Sequence, residues 1–179
     1  MRITGGKLRG RRLPTRVQAG VRPTGARVRE ALFNILGNDL EGTSVLDASG
    51  GSGILAFEAA SRGAQPVLVL DRDRRAVASV RGSAARLGLG GVVTVRRADS
   101  TKPGALVGCF DLVLADPPYA QELEPWVRAL LPQTGWCLVL EHGADKEPPA
   151  APSGWRLDSR RYGDSRLSFY RAISEGSGR

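Results

Sequence analysis

Between Ser44 and Glu141, short apolar runs alternate with longer stretches whose apolar positions recur every three or four residues. The short runs are Val45-Leu46, Val67 to Leu70, Val92 to Val95, Leu112 to Leu114 and Cys137 to Leu140, and they predict buried strands. Ile54 to Ala60, Ala76 to Leu87 and Leu123 to Leu131 carry the helical spacing. Strand and helix in alternation predict a parallel sheet, because parallel neighbours need a long crossover and a helix supplies it. Upstream, Val28, Leu32, Ile35 and Leu36 predict one more helix, with Thr24 as candidate N-cap and Gly37 as its stop. After Glu141 the pattern breaks in a proline-rich stretch, Gly143 to Gly154. Trp155 to Tyr162 and Ser165 to Tyr170 then flank Gly163-Asp164, which predicts an antiparallel hairpin at the sheet edge. At the other end, Arg2-Ile3 and Lys7-Leu8 lead to Pro14 and predict a small hairpin or arm. The expectation is one α/β domain over residues 1–173, with a basic arm and helix over 1–37 and a disordered polar tail over 174–179. Its sheet is doubly wound and mostly parallel, Rossmann-like, closed by an antiparallel C-terminal hairpin.

Composition adds limits to that picture. The 179 residues, 41% hydrophobic and 6% aromatic, suit one domain with an ordinary core. No apolar run approaches the roughly 20 residues of a membrane span, and Met1 to Gly6 lacks the apolar stretch of a signal peptide, so a cytoplasmic protein is expected. Cys109 and Cys137 lie in or beside apolar runs and are expected to be buried and inert, while a single histidine, His142, predicts no metal site.

Charge points to a partner. The net charge of +8 and a pI near 10.5 favour a polyanion over a metabolite. Before Glu30 stand Arg2, Lys7, Arg9, Arg11, Arg12, Arg16, Arg22, Arg27 and Arg29 with no acid among them. Arginine suits forked phosphate contacts, although a merely solvated basic face would have the same composition.

Candidate chemistry gathers at three strand ends, where an open parallel sheet places its ligand crevice. Val45-Leu46-Asp47 runs into Ala48-Ser49-Gly50-Gly51-Ser52-Gly53, a turn whose Gly51, Gly53 and Ala56 also fit a dinucleotide fingerprint. Asp47 before the glycines disfavours a phosphate and favours a cationic amino-acid group, as in S-adenosylmethionine. Asp71 ends the next strand, where a carboxylate can accept the ribose hydroxyls of either nucleoside cofactor; Arg72 beside it joins Ser49, Gly51 and Gly53 in the candidate set. Asp73 reads as a helix cap, and Asp99 either meets an adenine amine or caps the next short helix. The third end, Asp116-Pro117-Pro118-Tyr119, is the most informative. Successive prolines exclude helix and ladder bonding, leaving a rigid corner in which Asp116 and the Pro117 carbonyl can accept the hydrogens of an exocyclic amine while Tyr119 stacks on the base.

At these residues the chain resembles the bacterial small-subunit ribosomal RNA guanine-N2 methyltransferases. The likeness runs through Arg2-Ile3-Thr4-Gly5-Gly6, Arg22-Pro23-Thr24, Arg27 to Asn34, Gly51-Ser52-Gly53, Glu58-Ala59, Ser61-Arg62-Gly63-Ala64, Asp116 to Tyr119, and Tyr162-Gly163-Asp164 with Leu167. It implies a seven-stranded methyltransferase sheet, S-adenosylmethionine as cofactor, and a guanine of 16S ribosomal RNA, free or in a small-subunit assembly particle, as substrate. It places Arg2, Lys7, Arg9, Arg11, Arg12, Arg22 and Arg27 on the RNA-binding surface of a monomer. Ser49 and Gly50 depart from the family's usual aromatic residue and alanine, and Asp71 from its usual glutamate. The residues alone leave three rivals open: an adenine-N6 methyltransferase, an NAD-dependent oxidoreductase, and an inactive RNA-binding module.

Overall fold

The computed structural model describes residues 1–13, 25–102 and 108–173. Its elements, in chain order, are α1 (Ala26–Leu36), β1 (Val45–Asp47), α2 (Ile54–Ser61), β2 (Val67–Asp71), α3 (Arg74–Leu87) and β3 (Val93–Arg97). Then come β4 (Phe110–Ala115), α4 (Glu124–Leu130), β5 (Thr134–Gly143), β6 (Trp155–Tyr162) and β7 (Ser165–Ala172). The seven strands form one sheet in the order β3-β2-β1-β4-β5-β7-β6, parallel from β3 to β5 and antiparallel at β7 and β6.

Alternation along the strands sends side chains to two cores. Val45, Val69, Leu112, Leu114 and Val139 pack with α1, α2 and α3, whereas Leu46, Val113, Leu138 and Leu140 pack with Trp126, Val127 and Leu130 of α4. Both faces are therefore dry, as a doubly wound sheet requires. The topology also fixes the crevice. From β1 the chain steps outward to β2 and β3, then returns to place β4 on the other side of β1, so the order reverses between β1 and β4. That pairing holds only three residues of β1 against β4, and just before it Ser44 donates through its N–H and hydroxyl to Asp111 Oδ2, at 2.8 and 2.6 Å.

The N-terminal arm is fastened along α2. Ile3 donates to the Arg11 carbonyl and Leu13 to that of Met1, which closes the arm on itself. Met1 reaches Ser52, while Lys7 donates to the Ser61 carbonyl at the far end of α2. Beneath the arm lies a buried charge cluster. Glu58 accepts from Thr4 N at 2.7 Å and Thr4 Oγ1 at 2.9 Å, and pairs with both Arg29 and Arg62. Arg62 also lies 4.2 Å over the Phe33 ring, and Arg29 donates to the Arg2 carbonyl. Gly6, at φ +72°, passes so close to α2 that a β-carbon would fall 1.9 Å from the Ser61 carbonyl oxygen, so only glycine fits.

Several expectations change. Gly25, not Thr24, occupies the N-cap of α1 and makes no side-chain cap bond; Thr24, with Pro14, Arg16 and Arg22, lies outside the described residues, as does the 174–179 tail. β5 runs three residues beyond Leu140, because its antiparallel partner β7 continues the ladder to Gly143↔Ser165. Arg29 belongs to the buried cluster, not to the basic surface, since Glu58 neutralises it in the interior. Cys109 is exposed, since it precedes β4 and escapes the sheet; Cys137 is buried, and burial pushes its thiol up to about 12.

Candidate active site

A crevice lies outside the C-terminal ends of β1 to β4, where an open parallel sheet places its ligand. Each strand end contributes to the wall. After β1 come Ala48, Ser49 and Gly51; after β2, Asp71 and Arg72; after β3, Ala98 to Thr101; after β4, Asp116 and Pro118, with Gln121 and Trp126 behind them.

Asp71 Oδ2 accepts from Gly51 N and Oδ1 from Asp73 N, both at 2.8 Å, so the carboxylate ties the glycine turn to β2. Each oxygen keeps lone-pair capacity toward the crevice. The neighbouring Asp73 is the cap the sequence predicts: it accepts from Ala76 N and Arg75 N, and those bonds hold its carboxyl below the usual range. Asp99 accepts from Thr101 Oγ1 at 2.7 Å and Thr101 N at 3.1 Å, both on Oδ1. The Thr101 hydroxyl first, then its N–H, Lys102 and Arg72, hold Asp99 ionised, so it offers acceptors only. Asp99 thus braces a turn through one oxygen, with no helix directly after it among the described residues, and lines the cavity.

Ser49 proves more than a departure from pattern. Its hydroxyl accepts from Asp116 N at 2.6 Å, joining the glycine turn to the Asp116-Pro117-Pro118-Tyr119 corner across the strand-order reversal. Ser100 does similar service in the opposite wall, donating at 2.6 Å to the Ala48 carbonyl. The sequence reading passed over Ser100, Gln121 and Trp126. Only the spacing of Gln121 and Trp126 after the proline corner hints at them.

Other candidates sit behind the wall. Asp47 is buried, and its carboxylate accepts from the N–H groups of Ser49 and Ala56. Gly53, at φ +76°, caps α2, where a β-carbon would meet Phe57 at 2.8 Å and Val80 at 2.9 Å, so packing as much as ligand approach demands glycine. Pro117 is buried. Tyr119 leans toward the hairpin, its hydroxyl 2.7 Å from Ser165 Oγ. His142 is internal too: Nδ1 lies against the Gly143 carbonyl and Nε2 against Ser168 Oγ, and burial lowers its pKa. Among the described residues no cluster of metal-ligating side chains forms.

Burial raises the Asp47 pKa from 3.8 to about 7, with Asp71 adding to the rise against the two backbone bonds. The sequence argument from its charge is weaker for that reason, since near neutral pH the group is partly protonated. Because the folded state holds this proton more tightly than the unfolded chain does, stability present below pH 3.8 is lost as pH rises toward 7. The loss approaches about 1.4 kcal/mol per pH unit at its steepest. Chemical denaturation between pH 4 and 7 is expected to show this fall in the parent protein and to show it flattened in Asp47→Asn; parallel pH profiles would refute the assignment.

A seven-stranded sheet with its crevice at the β1/β4 reversal, a glycine turn, an acid ending β2 and a proline corner ending β4 defines a Rossmann-like methyltransferase domain. The chain belongs to the family described as conserved hypothetical protein 95, whose model matches residues 1–171. The ribosomal RNA small subunit methyltransferase D of Haemophilus influenzae is 33% identical over 88% of this chain and 86% of that protein. Its Escherichia coli namesake is 30% identical over 98% and 92%. The solved structure of yhhF from Escherichia coli superposes with a TM-score of 0.82 at 30% identity, covering 98% of this chain and 99% of that one. A magnesium protoporphyrin IX methyltransferase from Synechocystis, solved with bound S-adenosylmethionine, shares the fold with a TM-score of 0.64 at 20% identity, over 82% of this chain and 79% of that one.

Proposed function

We propose that this chain transfers a methyl group from S-adenosylmethionine to the N2 amine of a guanine in 16S ribosomal RNA, free or within a small-subunit assembly particle. It acts as a cytoplasmic monomer without a metal. The observation that carries this reading is the Ser49–Asp116 bond, which sets the amine-binding corner against the cofactor turn in one crevice. The names of the relatives support the substrate class.

The donor set fits the cofactor: Asp71 for ribose hydroxyls, Asp99 for an adenine amine, and the Gly51 backbone, at φ +51° and lining the same crevice. When bound, S-adenosylmethionine supplies an electrophilic methyl on sulfur. The chain's own residues do the rest. The target base leaves its stack, because its amine cannot be approached in line within a helix. Asp116 and the Pro117 carbonyl accept the amine hydrogens and aim the nitrogen, and Tyr119, held at its hydroxyl by Ser165, offers its ring to the base. Positioning supplies most of the rate. Exposed Arg2, Lys7, Arg9, Arg11, Arg12 and Arg27 add phosphate contacts; Arg22 lies outside the described residues.

Nucleoside mass spectrometry of 16S ribosomal RNA treated with the protein and S-adenosylmethionine tests the reading. N2-methylguanosine is the expected product, whereas N6-methyladenosine, or no new nucleoside, would overturn it. Calorimetry should show S-adenosylmethionine binding, no NAD binding, and a loss of about 1.5 to 3 kcal/mol in Asp71→Ala. Unchanged affinity in that variant would remove Asp71 from the cofactor site.

A further inference from the structure

Cations reach the crevice end of the sheet from a second element besides the arm. Lys7 and Arg9 sit at the arm's turn beside Ser61, one length of α2, roughly 12 Å, from the glycine turn. The β6–β7 hairpin, by contrast, turns at the crevice edge of the sheet. Its turn is fixed there by two bonds: Ala144 N to the Asp164 carbonyl at 2.9 Å, and Tyr119 Oη to Ser165 Oγ at 2.7 Å. The second ties the hairpin to the corner itself.

The hairpin is basic, with five arginines between Trp155 and Ala172 against two aspartates. Arg166 is neutralised by Glu147 at 2.7 Å. Arg160 and Arg161, at the turn end of the outermost strand, are exposed and more available. Arg160 leans on Asp158 at 3.4 Å through Nε, a weak exposed contact. Arg161 donates Nε to the Gly163 carbonyl at 3.0 Å, which folds its guanidinium over the turn and, among the described residues, leaves the two terminal nitrogens without an acidic partner. Arg160 stands opposite Leu167 and Arg161 opposite Arg166, so the two cations project from opposite faces of one strand end.

We propose that the turn end of the β6–β7 hairpin grips the RNA backbone beside the target base, with Arg160 and Arg161 as phosphate contacts. This rests on the ribosomal RNA reading above. The Tyr119–Ser165 bond ties this end of the hairpin to the corner, whereas the arm's turn lies at the far end of α2. Charges on an edge strand can instead serve only to block strand addition. Arg156 separates the two roles, since it is exposed on the same strand about 13 Å further from the turn.

The experiment compares R160Q/R161Q, R156Q and the parent protein in methyl transfer to 16S ribosomal RNA across a salt series. The double variant is expected to raise KM for RNA about tenfold with kcat and S-adenosylmethionine affinity nearly unchanged. Its log affinity should depend less steeply on log salt, by roughly 0.7 to 0.9 for each lost contact. R156Q should behave as the parent does. An unchanged KM and salt slope in R160Q/R161Q, or an equal effect in R156Q, would overturn the hairpin assignment while leaving the activity in place. Failure of the parent protein to methylate the RNA would overturn the substrate reading and this proposal together.

Discussion

Replacing Asp116 by alanine is expected to lower single-turnover methyl transfer by 100-fold or more, while S-adenosylmethionine affinity stays within about twofold. The separation follows from how the residue is held. Its N–H is fixed by Ser49, so the backbone corner survives loss of the side chain, and the carboxylates proposed for the cofactor, Asp71 and Asp99, come from the ends of other strands. What goes is the acceptor proposed to aim the amine. Asp116→Asn keeps one carbonyl oxygen and should fall between the two. A near-normal rate in the alanine variant would show that the corner only shapes the chain, and the amine would then need another acceptor.

The second large effect is on stability. Glu58→Ala is expected to cost about 3 to 5 kcal/mol, the scale for stranding buried charge, because it deprives Arg29 and Arg62 of their shared carboxylate in the interior. It also removes the acceptor for Thr4, on which the arm depends. Against a typical total of about 5 to 15 kcal/mol this is at least a fifth, so the urea midpoint should drop sharply and arm residues should exchange amide hydrogens faster. Glu58→Gln keeps an acceptor for Thr4 without the charge and should restore part of the loss. A midpoint shift worth less than about 1 kcal/mol in the alanine variant would mean that the cluster relaxes or hydrates without cost.

That cluster also marks how far the sequence could be read. Every strand and helix that the pattern places between Ser44 and Glu141 is present, with bounds that shift by one to three residues, since the apolar runs mark what is buried and the ladders continue past them. The hairpin turn at Gly163-Asp164 was legible because turn chemistry is local. The three carboxylates of the wall were legible because strand ends converge in this topology. Arg2 to Gly6, Arg29, Glu58 and Arg62 were visible only as separate matched stretches. Nothing in their spacing said that they meet, so Arg29 was counted among surface cations when it is a structural ion. Ser49 was hidden likewise, since a hydroxyl that bonds 67 positions away leaves no local trace. The position of Asp47 behind the wall depends on which way a three-residue strand presents its last side chain, and a glycine turn does not fix that.

The two serine–aspartate bonds that flank the β1–β4 pairing, Ser44–Asp111 and Ser49–Asp116, each close a span of 67 residues, whereas the Gly51–Asp71 bond closes 20. Closing the longer loop costs about 1 kcal/mol more chain entropy, and only three paired residues of β1 repay it within the sheet. The crevice is therefore a seam between a part rich in short-range contacts, β1 to β3, and a part completed by the β5–β7–β6 meander. A small clasp stands at each end of that seam, and the Ser49–Asp116 clasp holds the corner proposed to bind the amine. On the proposed reaction, one hydrogen bond serves both the cohesion of the two halves and the alignment of the reacting groups, so loosening of the sheet at this line would be felt first as lost aim.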